Sequence, residues 1–345
     1  MIRVGLIGAG FIGRNHFNQY EKIPDRARVR ALCDKEAERL AGDWSKIGGN
    51  LGDKQGTKRD LGGIKPYPDW RDIVADPELD LIDICLPTSL HKEIALAALA
   101  AGKHVLCEKP MALNLNDCDA MLAAAAKAPG QFMIAHCIRF WPEYAYLKQS
   151  LDDNRFGQLL SLNLRRQAEY PSHSLNNWIT QPKLSGGALF DLHIHDIDFA
   201  LYAIGQPRAI TAQGWGHSPD GFDRVHALWR YPSVACVQLE GYWDMPPGFG
   251  FNMGFTARFA DAAVVWDLDT GKPLTVYPTG GTPLTPALPT SDGYFAEIDY
   301  FLASIERNQA PNLCPAHDSR TAVALAHLTA EAIRANRSVD VPVKL

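Results

Sequence analysis

The apolar and polar positions of this chain fall into two successive patterns. Through the first 135 residues, short apolar runs alternate with stretches of helical period. Val4 to Ile7 precedes Ile12 to Ile23, Val29 to Cys33 precedes Glu36 to Leu40, and Leu81 to Leu86 precedes Glu93 to Ala101. His104 to Cys107 then precedes Asp117 to Ala126, and Phe132 to Ala135 closes the series. Strand–helix alternation of this kind predicts a parallel sheet with helices on both faces. The stretch from Gly42 to Gly63 breaks the rhythm. It is rich in Gly, Lys and Asp and reads as a loop insertion, a solvated surface excursion rather than a basic substrate loop.

After about residue 155 the period changes to two. Leu160, Leu162 and Leu164 alternate with polar or small neighbours, as do Ala227 to Trp229, Ala235 to Leu239, Phe255 to Phe259 and Val264 to Trp266. These predict half-buried strands of a largely antiparallel sheet. Leu189 to Ile204, Tyr294 to Arg307 and His317 to Arg337 have helical period, and Pro278 to Pro289 reads as a loop. The expected architecture is an α/β domain over residues 1–136 followed by an α+β domain over 137–345.

Composition narrows the function classes. A length of 345 residues suits two domains. Lys and Arg number 34 against 39 Asp and Glu, a net charge of 34 − 39 = −5, which argues against an electrostatically driven nucleic-acid binder. No window approaches the roughly 18 apolar residues of a membrane-spanning helix. The chain opens directly on a strand-like run, so no secretory signal is expected. The 7 cysteines are dispersed without a C-x-x-C pair. Free thiols in a reducing cytoplasm are therefore expected rather than disulfides or zinc.

The first strand ends in Gly8-Ala9-Gly10-Phe11-Ile12-Gly13. After a strand and before a helix, this is a dinucleotide fingerprint. Gly8 allows the tight turn, Gly10 a close backbone approach to pyrophosphate, and Gly13 close helix–strand packing, while the helix N-terminus presents free N–H groups to phosphate. Phe11 and Ile12 complete the turn. Asp34 closes the second strand, 34 − 13 = 21 residues after Gly13. A carboxylate there accepts from ribose hydroxyls and repels a 2′-phosphate, so NAD is favoured over NADP, with Lys35 as an offsetting charge. Leu86, Pro87 and Thr88 follow a predicted strand at its carboxyl end and join the expected cofactor set. Ser89 reads as a helix cap. His91 joins the cofactor set as a helix-start residue rather than a catalyst.

Two further stretches carry chemistry. Glu108-Lys109-Pro110 follows another strand, which places Lys109 at the carboxyl edge of the sheet. An ammonium there can donate to a substrate oxygen or tune a neighbouring base, and Glu108 can orient or neutralise it. In the segment Gly186 to Asp198, Asp191 and His195 are four apart and share a face if it is helical. That pair suits alcohol oxidation, with the imidazole taking the hydroxyl proton. If the segment is extended, His193 and His195 share a face, and with Asp191 and Asp196 they make a metal site conceivable. No metal is the reading adopted.

These pieces in this order resemble the glucose–fructose oxidoreductase / inositol dehydrogenase / rhizopine catabolism (Gfo/Idh/MocA) family. The resemblance implies an N-terminal Rossmann domain and a C-terminal open-faced mixed sheet that joins protomers into homodimers or homotetramers. It implies that Lys109, Asp191 and His195 are catalytic, with His195 the acid/base. It also implies that Arg139 lies in a segment lining the cofactor–substrate cleft, and that Trp178 occupies a loop that can face substrate. Relatives often carry a small residue where this chain has His193, which bears on substrate choice. The substrate set is therefore Lys109, Arg139, Trp178, Asp191, His193 and His195, with Asn176 and Asn177 as further polar candidates. The implied reaction is NAD(P)-dependent hydride transfer at a hydroxyl carbon of a sugar, inositol or related polyol, in the cytoplasm, with no nucleic-acid or membrane partner. The rival readings are an NAD-dependent glycosidase on the same scaffold and a non-catalytic dinucleotide sensor.

Overall fold

The computed structural model describes residues 1–49, 56–171 and 174–345, except the side chains of Leu175 and Asn176. It divides into two compact units.

The six strands of the first unit are β1 (Ile2–Ile7), β2 (Ala27–Cys33), β3 (Lys65–Tyr67), β4 (Leu81–Ile84), β5 (His104–Glu108) and β6 (Phe132–Ala135). Of these, β1, β4, β5 and β6 are non-alternating runs buried along almost their whole length. Together the six form one sheet in the order β3-β2-β1-β4-β5-β6, with every pair parallel. This is the doubly wound order of two mononucleotide halves, whose ligand crevice lies outside the carboxyl ends of the strands. The intervening helices are α1 (Phe11–Tyr20), α2 (Ala37–Leu40), α3 (Trp70–Ala75), α4 (His91–Ala100) and α5 (Leu115–Ala125). Asp69 and Asn114 cap α3 and α5 through their side chains. The expected helix from Ile12 to Ile23 stops at Tyr20, where i→i−3 bonds from Lys22 and Ile23 tighten the chain ahead of Pro24.

The Gly42 to Gly63 stretch corrects the sequence reading. Trp44 is fully buried and meets Phe17 edge-on at 5.0 Å between ring centroids, and Ile47 is buried with it. A Cβ added to Gly49 would lie 1.9 Å from the Phe11 ring. Two isolated apolar residues in a polar stretch carry no period, so only the packing reveals them as core. Residues 50–55 of that stretch lie outside the described residues.

In the second unit period two becomes a half-buried sheet. After α6 (Pro142–Asp152) come β7 (Leu159–Glu169), the short helices α7 (Pro182–Ser185) and α8 (Gly187–Asp191), and α9 (Ile194–Ile204). Strands β8 (Ala209–Trp215), β9 (Arg224–Arg230), β10 (Cys236–Met245), β11 (Phe251–Phe259), β12 (Ala262–Asp267) and β13 (Thr275–Pro278) follow. The chain ends in α10 (Gly293–Glu306), α11 (Ala316–Ala335) and β14 (Val339–Asp340). The 8-stranded sheet runs β13-β12-β11-β7-β10-β9-β8-β14. Only β7 and β10 pair in parallel, so the sheet is mixed but largely antiparallel. Alternation of buried and half-buried positions along β7 from Ser161 onward and along β12 keeps one face in the core.

The chain passes from the first unit to the second between Cys137 and Ile138, next to the 136/137 boundary expected from the sequence. It does not stay there. Residues 174–178 and Gly293–Arg320 belong to the first unit, so α10 does not complete the second domain as its period suggested. Arg26 explains the return: its guanidinium binds Asp299 and Glu306 of α10.

Candidate functional site

The fingerprint turn has the geometry its glycines imply. Gly8 adopts a φ of 99°, and a Cβ there would sit 2.3 Å from the Cys85 carbonyl oxygen. A Cβ at Gly13 would sit 1.8 Å from the Gly8 carbonyl oxygen, so any side chain would force α1 off β1. Gly10 differs: a Cβ there would meet nothing within 4 Å. The space beside Gly10 is open at the first turn of α1, which has no side-chain cap and no acidic residue. An uncapped helix N-terminus beside open space fits an anionic phosphate.

Asp34 is buried and already engaged. Its Oδ2 accepts from the Ala9 N–H at 2.8 Å and its Oδ1 from the Glu36 N–H at 2.9 Å, with Arg39 Nη1 at 3.5 Å. The acid therefore braces the fingerprint turn. Lys35 is exposed. Leu86 and Pro87 are half-buried and Thr88 is buried at the carboxyl end of β4. Ser89 does not cap α4, which starts at His91 without a side-chain cap. His91 is buried, its Nδ1 2.9 Å from the Pro110 carbonyl and its Nε2 2.8 Å from that of Leu86. It joins the loops after β4 and β5. Burial holds its pKa below the ordinary range.

At the end of β5, Lys109 is half-buried and its peptide bond to Pro110 is cis. Glu108 is buried. Its Oε1 lies 3.2 Å from His16 Nε2, and its Oε2 accepts from the Lys109 N–H at 3.1 Å. Burial alone would raise the Glu108 pKa, but His16 outweighs it and holds the carboxyl below its usual range.

The Gly186 to Asp198 segment is not one helix. Gly186 and Gly187 take left-handed φ values of 80° and 71°, and α8 then ends at Asp191. The Ala188 carbonyl accepts from both Leu192 and His193, so the chain is under-wound by one residue before α9 begins. This insertion sorts the polar side chains. Asp191 and His195 are half-buried, whereas His193, Asp196 and Asp198 are fully buried. Asp196 receives a bidentate contact from buried Arg166, Nε at 3.0 Å and Nη2 at 3.1 Å. Asp198 receives one from Arg139, Nε at 2.8 Å and Nη2 at 2.6 Å, with the guanidinium stacked 4.6 Å from the Tyr202 ring centre. Arg139 is thus a buried clamp on Asp198.

His193 is buried likewise. It lies on the sheet, where a Cβ at Gly241 would meet its Nδ1 at 2.3 Å. Burial first, and the positive charge of Arg166 second, push its pKa down to about 3, so it is neutral at ordinary pH. With His193 and Asp196 turned inward, the imagined metal site has no common point. Among the described residues, the only groupings with metal-binding spacing surround His16. Trp178 is half-buried and Asn177 exposed, while the side chain of Asn176 lies outside the described residues.

Sequence reasoning missed the polar core of the first unit: His16, Asp83 and Glu297, all fully buried. The available signal was Asp83 itself, a carboxylate inside the apolar run of β4.

The strand order, the fingerprint turn and the acid closing β2 together define a Rossmann-type dinucleotide-binding protein. The chain belongs to the Gfo/Idh/MocA oxidoreductase family. That family's NAD-binding Rossmann domain matches residues 2–136, and its C-terminal domain matches residues 144–259. Levoglucosan dehydrogenase of Pseudarthrobacter phenanthrenivorans is 33% identical over 221 residues, 61% of this chain and 53% of that protein. Myo-inositol 2-dehydrogenase of Thermotoga maritima is 31% identical over 207 residues, 59% of this chain and 55% of that protein. The match thus spans about half the length of these curated relatives. A solved levoglucosan dehydrogenase in complex with NADH and levoglucosan superposes with a TM-score of 0.84 over 99% of both chains at 24% identity, which establishes the shared fold.

Proposed function

We propose that this protein is an NAD-dependent dehydrogenase acting on a hydroxyl carbon of a sugar, inositol or related polyol. The observation that carries the reading is the sorting of polar residues between Asp191 and Asp198. Two buried arginines and the sheet consume Asp196, Asp198 and His193, and leave Asp191 and His195 as the half-buried acid and imidazole. NAD, when bound, supplies the hydride acceptor. His195 takes the hydroxyl proton as hydride leaves the same carbon. Lys109 donates to the substrate oxygen and stabilises its developing negative charge. Asp191 orients the substrate or the imidazole. The Gly8–Gly13 turn holds pyrophosphate through backbone N–H groups, and Asp34 selects a free ribose over a 2′-phosphate. A net charge of −5 suits a neutral polyol better than an anionic substrate.

The levoglucosan and inositol dehydrogenases among the relatives support this substrate class. The open face of the 8-stranded sheet, which carries exposed Trp215 and Leu228, supports assembly into homodimers or homotetramers. A cytoplasmic setting agrees with cysteines that are all free, six of them buried. Among the described residues no helix is long and apolar enough to cross a membrane.

The deciding experiment is a panel of inositols, aldoses, anhydrosugars and sugar acids assayed for NADH formation, repeated with NADP. The reading expects turnover with NAD on at least one polyol, and a far larger loss of turnover than of NADH affinity in His195→Ala. Release of a free aglycone without net NADH would replace it with the glycosidase reading. Full biological activity of a Lys109→Ala, His195→Ala double variant would replace it with the sensor reading.

A further inference from the structure

We propose that His16 is a positioning residue that, through the buried carboxylate of Glu108, fixes the Lys109 end of β5 relative to the Gly8–Gly13 turn. This inference rests on the dehydrogenase reading only where it speaks of turnover.

Four elements of the first unit each place a polar group in the same dry space. His16 comes from α1, six residues after the uncapped Gly10, and is fully buried. Its Nδ1 is 2.9 Å from Asp83 Oδ2 on β4, an oxygen that also accepts from the Tyr20 hydroxyl at 3.0 Å. Its Nε2 is 3.2 Å from Glu108 Oε1 at the end of β5 and 3.8 Å from Glu297 Oε1 on α10. The other oxygen of Glu108 accepts from the Lys109 N–H. The path from the fingerprint helix to Lys109 is therefore one imidazole and one carboxylate long.

Hydrogen-bond inventory sets the state of His16. A carboxylate only accepts, and a neutral imidazole carries one N–H. Nδ1 is hydrogen-bonded to Asp83 at 2.9 Å and Nε2 lies at ion-pair distance, 3.2 Å, from Glu108, so a carboxylate faces each nitrogen, surroundings that suit an imidazolium. The groups facing it are Tyr20 on α1, Asp83 and Cys85 at β4, Glu108 on β5, and Tyr294 and Glu297 on α10. Burial opposes the charge, yet the Asp83 carboxylate hydrogen-bonded to the ring outweighs it, and His16 titrates well above the ordinary histidine range.

The test compares the whole protein with His16→Gln and with Glu297→Gln, whose carboxylate faces the same His16 nitrogen from α10. Nitrogen-15 histidine NMR should show one imidazole protonated on both nitrogens above pH 8, lost in His16→Gln. The Lys109 amide resonance should move in His16→Gln and hold in Glu297→Gln. On whichever polyol the panel identifies, His16→Gln should lose about 10- to 100-fold in kcat, the scale of a displaced catalytic group. Its NADH affinity by fluorescence titration should stay within about threefold. A neutral His16, an unmoved Lys109 amide, or kcat and NADH affinity falling in step would each overturn the proposal, as would a stoichiometric metal removed by chelation. If no polyol is turned over, the dehydrogenase reading fails while the two NMR results still decide the role of His16.

Discussion

Two histidines, both fully buried, end up in opposite charge states. His16 in the first unit lies among carboxylates from three elements and is held as a cation. His193 in the second unit lies on the bare backbone of Gly241, beside the guanidinium of Arg166, and is held neutral. Burial acts identically on both rings, disfavouring charge, so it cannot explain the difference. The neighbours do. In the first unit, carboxylates converge where β4, β5, α1 and α10 meet, and a buried cation is the least costly answer to them. In the second unit, Asp196 and Asp198 each have their own arginine, and the imidazole is left to pack. The same residue type therefore braces a charged turn in one unit and fills space in the other.

The contrast can be broken or sharpened in four ways. The largest effect is expected from Arg166→Met, which strips Asp196 of its bidentate partner and leaves a buried charge. Denaturant unfolding should show a loss of about 3–5 kcal/mol, and the His193 pKa should climb from about 3 as a positive neighbour disappears. Next is Gly241→Ala. Its methyl would collide with the His193 ring, and the melt should report a loss of about 1–3 kcal/mol. A Gly241→Ala protein as stable as wild type would mean that the ring is free to move.

The third concerns acid. The folded pKa of His193 lies below its unfolded value of about 6.5, so its share of stability is complete above that pH and is lost as pH falls toward about 3. Within that window one proton taken up only by the unfolded chain costs about 1.4 kcal/mol per pH unit. His193→Gln should flatten the acid limb of a stability–pH curve by up to that slope.

The fourth and smallest is the mirror image. The folded pKa of His16 lies above the unfolded one, so its contribution is complete below about pH 6.5 and is lost as pH rises through the raised value. His16→Gln should flatten the alkaline limb, by at most the same slope. Equal slopes lost from the same limb in both variants would erase the contrast.

Much of the first unit was legible along the chain because its signals are local. Gly8, Gly10 and Gly13 encode backbone approach within six residues. Asp34 closes a strand whose partners are set by parallel alternation, and Lys109 follows one. The pairing of Asp191 with His195 was also readable, but for an incomplete reason. Helical spacing puts them together only if the helix is continuous, and α8 gives way to α9 at Leu192 and His193. The extra residue in that turn carries His193 to the sheet and Asp196 to Arg166, which no periodicity announces. The resemblance placed Arg139 in a segment lining the cleft; its bond to Asp198, 198 − 139 = 59 residues away, was not readable along the chain. Trp44 looked solvated because its neighbours are glycines, lysines and aspartates.

Residue order alone thus specified the elements, the order of the two sheets' contents, the fingerprint and the identity of the candidate catalytic groups. These follow from spacing and backbone chemistry within one or two turns of chain. Folding in three dimensions assigned each polar side chain its charge state and its work. It buried Glu108 against His16, brought α10 back to the first unit, and left Asp191 and His195 half-buried while their neighbours turned inward. Such outcomes depend on which charges come within a few ångströms of one another in a dry interior, and those partners are drawn from strands and helices far apart in the chain.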